Sequence, residues 1–449
     1  MINSFSGLFD YVENIENVIG SQGNDTIVGV ADTTSIDAQG GNDRVVIHSA
    51  PANPVIQLDF DGGSGVDIFD LSNVTMTVES LAILDLFWQY GNSFHDLDNF
   101  ESIWGANNVG VTETLIGNNG NNELRGNGGN DILQGGLGGF DQLFGGIGDD
   151  IFNVSIHDNA DPDTIDGGAN FDTLRLLTSS ISPTSLQFAN STLVSLEQVQ
   201  VTDGGGNPTS GNMIVTFGGH QFGPGIASNA QFVGSNGTER ILITMGSATS
   251  LDLSGLTFQS WLAGSGYDVE ITGDGNAETI RGSILNDQIL GGGGADFIDG
   301  SLGDDFLDGG GGDNTVTYAS AGSAVTVTLA NQTSAQNTIG AGTDNLRNFS
   351  HLTGSDYSDT LSGTTGANII RGGKGEDTID GGGNYTSGIE QLLGEDGNDT
   401  ITRRHSSTAD TTTYDGGTDI DTLVGFDLLN NAVVDFENGE IRITAFARL

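Results

Sequence analysis

The chain has 449 residues, 72 of them glycine and none cysteine, and 60 acidic residues against 12 basic ones leave a net charge of −48. That charge excludes nucleic acid and anionic membrane surfaces as partners, because like charges repel, and makes a hard metal cation the natural counterion. Disulfides and thiolate metal sites are excluded too, and so polar a chain is expected to stay disordered until its charge is neutralised.

From the N-terminus, residues 1–70 read as the degenerate start of a repeat. Asn14–Gly29, NIENVIGSQGNDTIVG, returns in altered form within Asp344–Gly363, DNLRNFSHLTGSDYSDTLSG, and GGSGVDIFD begins at Gly62. No basic residue precedes Arg44 and no apolar run opens the chain, so no cleaved secretory signal is expected. Residues 71–116 form an aromatic-rich β segment. Its longest apolar run, Leu81–Trp88, is too short to cross a bilayer and contains Asp85, so no membrane insertion is expected. Trp88, Tyr90, Phe94, Phe100 and Trp104 read as a local core, with a sugar-stacking platform as the alternative.

Residues 117–175 carry GNNGNNELR at Gly117, GNGGNDILQ at Gly126 and GGIGDDIFN at Gly145. Between them GGLGGFDQLF at Gly135 has one extra residue, which is expected to put Asp141 out of phase. Asp161-Pro162-Asp163 reads as a worn copy of the same unit. Residues 176–272 are a non-repeat β segment. Residues 273–317 then hold GDGNAETIR, GSILNDQIL, GGGGADFID, GSLGDDFLD and GGGGDNTVT without a gap. After a wider-coil β segment at 318–353, residues 354–424 resume with GSDYSDTLS, GTTGANIIR and GGKGEDTID, followed by GEDGNDTIT at Gly394 and GGTDIDTLV at Gly416. Arg403-Arg404-His405, the most basic spot, reads as a solvated loop. The tail, 425–449, ends in IRITAF from Ile441, which alternates as a pairing strand should. A second phrase recurs ahead of repeat blocks: NIENVIG at Asn14, NFESIWG at Asn99, SLEQVQV at Ser195 and NFSHLTG at Asn348.

The shared template is Gly-Gly-x-Gly-x-Asp-x-hydrophobic-x, nine residues long. Its glycines permit positive φ and close backbone approach, so the first six residues turn tightly. The last three form a short strand with its hydrophobic residue inward. Two nonapeptides make one coil, which predicts an all-β parallel solenoid with strands stacked about 4.8 Å apart. Each sixth-position Asp then lies over the Asp of the next coil. Such a column repels itself unless a cation sits within it, and Ca²⁺, with six to eight oxygen ligands in flexible geometry, suits it better than Mg²⁺.

These nonapeptides resemble those of RTX (repeats-in-toxin) proteins, with their haemolysin-type calcium-binding repeats and β-roll. The resemblance implies that one turn supplies its second and fourth carbonyls and its Asp, while the turn of the next coil supplies its first and third carbonyls and its Asp. One such site joins Ser283, Leu285 and Asp287 to Gly300, Leu302 and Asp305. Another joins Ser355, Tyr357 and Asp359 to Gly372, Lys374 and Asp377. A third joins Gly292, Gly294 and Asp296 to Gly309 and Gly311, but Asn314 stands where its last Asp should be. Asn122 and Asn368 weaken their turns likewise, and Glu278 is a longer substitute. The resemblance extends the ligand set to Asp25, Asp43, Asp67, Asp131, Asp150, Asp172, Asp399 and Asp421.

None of the six histidines begins H-E-x-x-H, and no serine sits in G-x-S-x-G. No enzyme activity is expected. The resemblance implies secretion by the type I route, with the tail as an uncleaved export signal, and multiple bound Ca²⁺ ions. A repeat that starts almost at once, without a cap, predicts head-to-tail self-association into an extracellular filament, sheath or surface layer. The alternatives are a calcium-dependent adhesin for cell-surface polysaccharide and, further off, the repeat portion of a polysaccharide-active enzyme.

Overall fold

The computed structural model describes residues 17–29, 35–47, 59–73, 81–84, 87–90, 93–98, 100–110, 112–155, 162–177, 184–202, 213–235, 238–261, 266–383, 389–402, 412–424, 432–437 and 440–445. The chain is all-β, as its repeats predict: a parallel β-solenoid whose only helical element among these residues is one short turn at Gly219–Gln221. It falls into two compact units. Asn14–Glu16, Asp161, Arg403–His405 and Phe446 lie outside the described residues.

In the unit covering 1–217, 221–239 and 257–262, two parallel sheets run the length of the coils. One contains Glu113–Ile116, Ile132–Gln134, Ile151–Ser155, Thr173–Leu177 and Leu196–Thr202 in that order; the other contains Arg44–Ile47, Ile68–Asp70, Ser102–Trp104, Glu123–Gly128, Gln142–Ile147 and Thr164–Ala169. Register is set residue over residue, so Leu115 pairs with Leu133 and Leu124 with Leu143. A period of two turns one side chain per short strand inward. The result is two interior columns. Leu115, Leu133, Phe152, Leu174 and Val199 form one, and Val45, Phe69, Ile103, Leu124, Leu143 and Ile165 the other, all buried. Each such side chain contributes about 1.5–3 kcal/mol. In the aromatic-rich segment, Leu81–Leu84, Phe87–Tyr90 and Ser93–Asp98 form an antiparallel meander inserted in the first sheet. Phe100 is buried against Phe69, with ring centroids 5.6 Å apart.

The second unit, 218–220, 240–256 and 263–449, repeats the scheme. Ile271, Ile289, Leu307 and Leu346 stack in one sheet, and Ile280, Ile298, Val316, Leu352, Ile370 and Leu392 in another. A third sheet starts at Thr326–Thr328 and stacks Val327, Leu361, Ile379 and Ile401. Ile441–Ala445, whose alternation reads as a pairing strand, pairs antiparallel with Ala432–Glu437 of its own chain.

Candidate metal centres

Every regular turn fixes its sixth-position carboxylate by reaching back one coil. Asp43 Oδ1 accepts from the Asp25 N–H and Asp67 Oδ1 from the Asp43 N–H, both at 2.7 Å. The same bond links Asp131 to Asp150 (2.7 Å), Asp150 to Asp172 (2.8 Å), Asp287 to Asp305 (2.9 Å), Asp359 to Asp377 (2.8 Å), Asp377 to Asp399 (2.8 Å) and Asp399 to Asp421 (2.9 Å). Fifth-position side chains reach the other way. Asn24 Oδ1 accepts from Asn42 N–H at 2.9 Å, Asn286 Oδ1 from Asp304 N–H at 2.8 Å, and Asn398 Oδ1 from Ile420 N–H at 3.0 Å. Neighbouring coils are therefore clamped by two oppositely directed ladders.

The other carboxylate oxygen is the chemically important one. In Asp43, Asp67, Asp131, Asp150, Asp172, Asp296, Asp377 and Asp399, Oδ2 is buried with no hydrogen-bond partner. A buried acceptor left bare costs about 1–3 kcal/mol, and more when charged. Burial, reinforced by neighbouring carboxylates, accordingly pushes Asp131 up to about 8, Asp172 and Asp377 to about 7, and Asp67 and Asp150 to about 6.

The backbone around these oxygens fits a cation. A Cβ on Gly291 would overlap Asp296 Oδ2 and come within 2.9 Å of the Gly309 carbonyl oxygen. Gly292 and Gly294, at φ of 96° and 115°, lie against the carbonyls of Asp274 and Asn276, the second and fourth residues of the preceding turn. Carboxylate and carbonyl oxygens thus converge on the gap between turns. The carbonyls of Leu285 and Gly300, and of Ser355, Tyr357 and Gly372, lie likewise in their own turns. The side chains of Leu302 and Tyr357 are exposed, so their contribution is limited to the main chain. The Lys374 ammonium pairs with Asp356 on the exposed rim at 2.5 Å and stays out of the gap. Gly311 N–H donates to the Gly292 carbonyl at 2.8 Å, which leaves that oxygen a second lone pair. Among the described residues no three His, Asp or Glu side chains gather as a metal-binding group. The donor set is mainly carbonyl oxygen, which belongs to Ca²⁺ rather than Zn²⁺.

Three turns with serine in second position differ, whereas Ser301, at φ of 72°, donates its N–H to Asp299 Oδ1 instead of to Asp305. Ser283 donates its N–H to Asp287 Oδ2 (2.6 Å) and its hydroxyl to Oδ1 (2.9 Å); Ser355 treats Asp359 the same way, at 2.5 and 2.8 Å. Ser21 donates both groups to Asp25 Oδ2. Asn314 keeps the back-reaching bond, accepting from Asp296 N–H at 2.9 Å, but its Nδ2 lies toward Gly309 and donates to the Asn348 carbonyl. An N–H there repels a cation, so the doubt raised by Asn314 has a structural cause.

Several ladder members lie in turns that depart from the regular nonapeptide. Asp141 is in phase after all. It accepts from Asn122 N–H at 2.8 Å, because the extra residue is absorbed in a turn with Gly136, Gly138 and Gly139 all at positive φ. Asp163 accepts from Asp141 N–H at 2.9 Å, and Asp344 from Asp305 N–H at 3.2 Å. The phrase beginning at Asn99 and Ser195 ends a row. Glu101 and Glu197 accept from the N–H of Asp67 and Asp172, whose carbonyls in turn each accept two N–H groups of the phrase. Trp104, at the edge of the aromatic segment, sits between the guanidinium groups of Arg44 and Arg125, 4.8 and 5.6 Å from its ring centre.

The family described as "RTX calcium-binding nonapeptide repeat (4 copies)" matches residues 19–46, 110–139, 136–156, 281–316, 353–385 and 384–402. The chain carries RTX calcium-binding repeats. RTX repeats are typical of secreted calcium-binding proteins. No curated protein matches the chain. No helix among the described residues is long and apolar enough to cross a membrane.

Proposed function

We propose that this RTX protein folds on Ca²⁺ outside the cell and serves there as a structural subunit of a filament, sheath or surface layer, without catalytic activity. The observation that carries the calcium reading is the set of buried, bare Oδ2 atoms facing carbonyl-lined gaps. Sites of extracellular type bind near 10⁻⁴–10⁻³ M, so they fill outside the cell and not in the cytosol. Support for the subunit role comes from the strand order. In the first unit Asn17–Ile19 and Thr26–Gly29 are the outermost described strands of their sheets, both in the same coil. A parallel edge in fixed register, where it is open, pairs with further strands, and a head-to-tail contact that does not close gives an open filament. Negative-stain microscopy and sedimentation in millimolar Ca²⁺ test it. Growing linear or planar assemblies are expected; a monomer at high concentration overturns the subunit role and leaves calcium-dependent folding standing.

A further inference from the structure

The turn from Gly105 to Glu113 does not spell the nonapeptide. Glu113 follows its glycine by eight positions, where Asp131 follows Gly126 by five. Yet Thr114–Ile116 is in register with Ile132–Gln134, and Glu113 N–H donates to Asp131 Oδ1 at 2.8 Å, the ladder bond. Glu113 Oε2 accepts from Ala106 N–H at 2.8 Å, as Asp287 Oδ2 does from Ser283 N–H. Glu113 is fully buried, and its Oε1 has no partner. Asp131 Oδ2, one coil on, is bare as well. A Cβ on Gly105 would overlap Glu113 Oε2 and lie 2.8 and 3.0 Å from the carbonyl oxygens of Gly126 and Arg125. The Glu113 carboxylate and two carbonyls therefore border one small gap, and the Asp131 carboxylate lies against the Glu113 main chain and the Gly126 side of it.

We propose that Glu113 and Asp131, with the Gly126 carbonyl, form a further divalent-cation site of Ca²⁺ type at a turn that departs from the nonapeptide template. It begins the row that continues through Asp150 and Asp172. The inference rests on the calcium reading above, and it has its own readout. Trp104 immediately precedes Gly105, so a terbium ion bound in this gap is sensitised through that indole.

The test uses the full chain with Tb³⁺ as probe, excited through tryptophan. Emission that disappears in Trp104→Phe and is displaced by Ca²⁺ is expected. Glu113→Gln should weaken that Trp104-dependent emission by about tenfold or more in apparent affinity, since even outer-shell partners act on that scale. Wild-type emission indifferent to Trp104→Phe overturns the proposal without any Glu113 variant. So does full emission from folded Glu113→Gln. Should calcium induce no β-structure at all, the calcium reading itself fails. If it folds the chain but no Trp104-dependent emission appears, this site alone is wrong.

Discussion

Two turns of the second unit, Ser283–Asp287 and Gly292–Asp296, occupy equivalent places in adjacent half-coils and solve the same electrostatic problem differently. In the first, the serine hydroxyl and amide both donate to the carboxylate. In the second, glycine offers no hydroxyl, and Asp296 Oδ2 stays bare beside the Gly309 carbonyl. Asp359, over Ser355, belongs with the first kind, and Asp377, over Gly373, with the second. The turns of Ser283 and Ser355 can close on their own hydrogen bonds. Glycine turns are left waiting for a cation.

The largest effect expected from this difference is global. Chelation should abolish most of the β-sheet circular dichroism of the full chain, because many glycine-turn carboxylates lose their counterion together. Undiminished signal in chelator at neutral pH would sink the distinction. Acid should then partly replace the metal. Asp131, Asp172 and Asp377 have folded-state values of about 8, 7 and 7, raised above the unfolded carboxylate value near 4 by burial. The metal-free fold therefore binds more protons than the unfolded chain between those values. Its stability is fully present below the unfolded value and is lost as pH rises through about 7 to 8. Calcium-free protein should show more β-structure at pH 5 than at pH 8, and a flat or opposite profile would contradict the assignment.

Single substitutions sharpen the comparison. Asp377→Asn should remove a calcium equivalent in equilibrium dialysis and cost about 1–3 kcal/mol of calcium-dependent stability. Asp287→Asn should do less, since Ser283 continues to serve the remaining oxygen; equal losses would erase the two classes. The smallest effect is expected from Ser283→Ala. About 1 kcal/mol should be lost in chemical denaturation at low calcium, and little at saturating calcium, where the ion substitutes for the hydroxyl.

Coil spacing was legible in the chain because Asp25 and Asp43, Asp287 and Asp305, and Asp359 and Asp377 recur at 18 residues. The interior columns followed from the hydrophobic residue two places after each Asp. What the spacing could not reveal is that the ladder requires only a carboxylate at the gap, by whatever route the backbone takes. Glu101, Glu113 and Glu197 arrive there from turns of other lengths, and Asp344 arrives after the long excursion at 318–343. Nor does the template separate the roles of Ser283 and Gly292. Gly292 keeps the template's second glycine and Ser283 replaces it, but nothing in the pattern says that the replacement satisfies its carboxylate while the glycine leaves it bare. The recurrent Asn-Phe-Glu and Ser-Leu-Glu phrases were visible as repeats, but their role depends on which N–H groups their glutamates accept.

The opposed ladders also bear on how such a chain can change its length. Both clamps refer only to the coil before and the coil after. Excising Gly282–Asp299, which is 18 residues, would join Arg281 to Gly300 and bring Asp305 to the place of Asp287, with Asn314 in that of Asp296. Each backbone donor would meet a new acceptor of the same geometry. A loss of another length has to be taken up inside a turn, as the extra residue before Asp141 is, or both ladders are misaligned from that point on. Gain and loss of material by whole coils is thus the simplest edit this architecture can absorb, so its capacity for cations can be lengthened or shortened like a tape cut at its own printed marks.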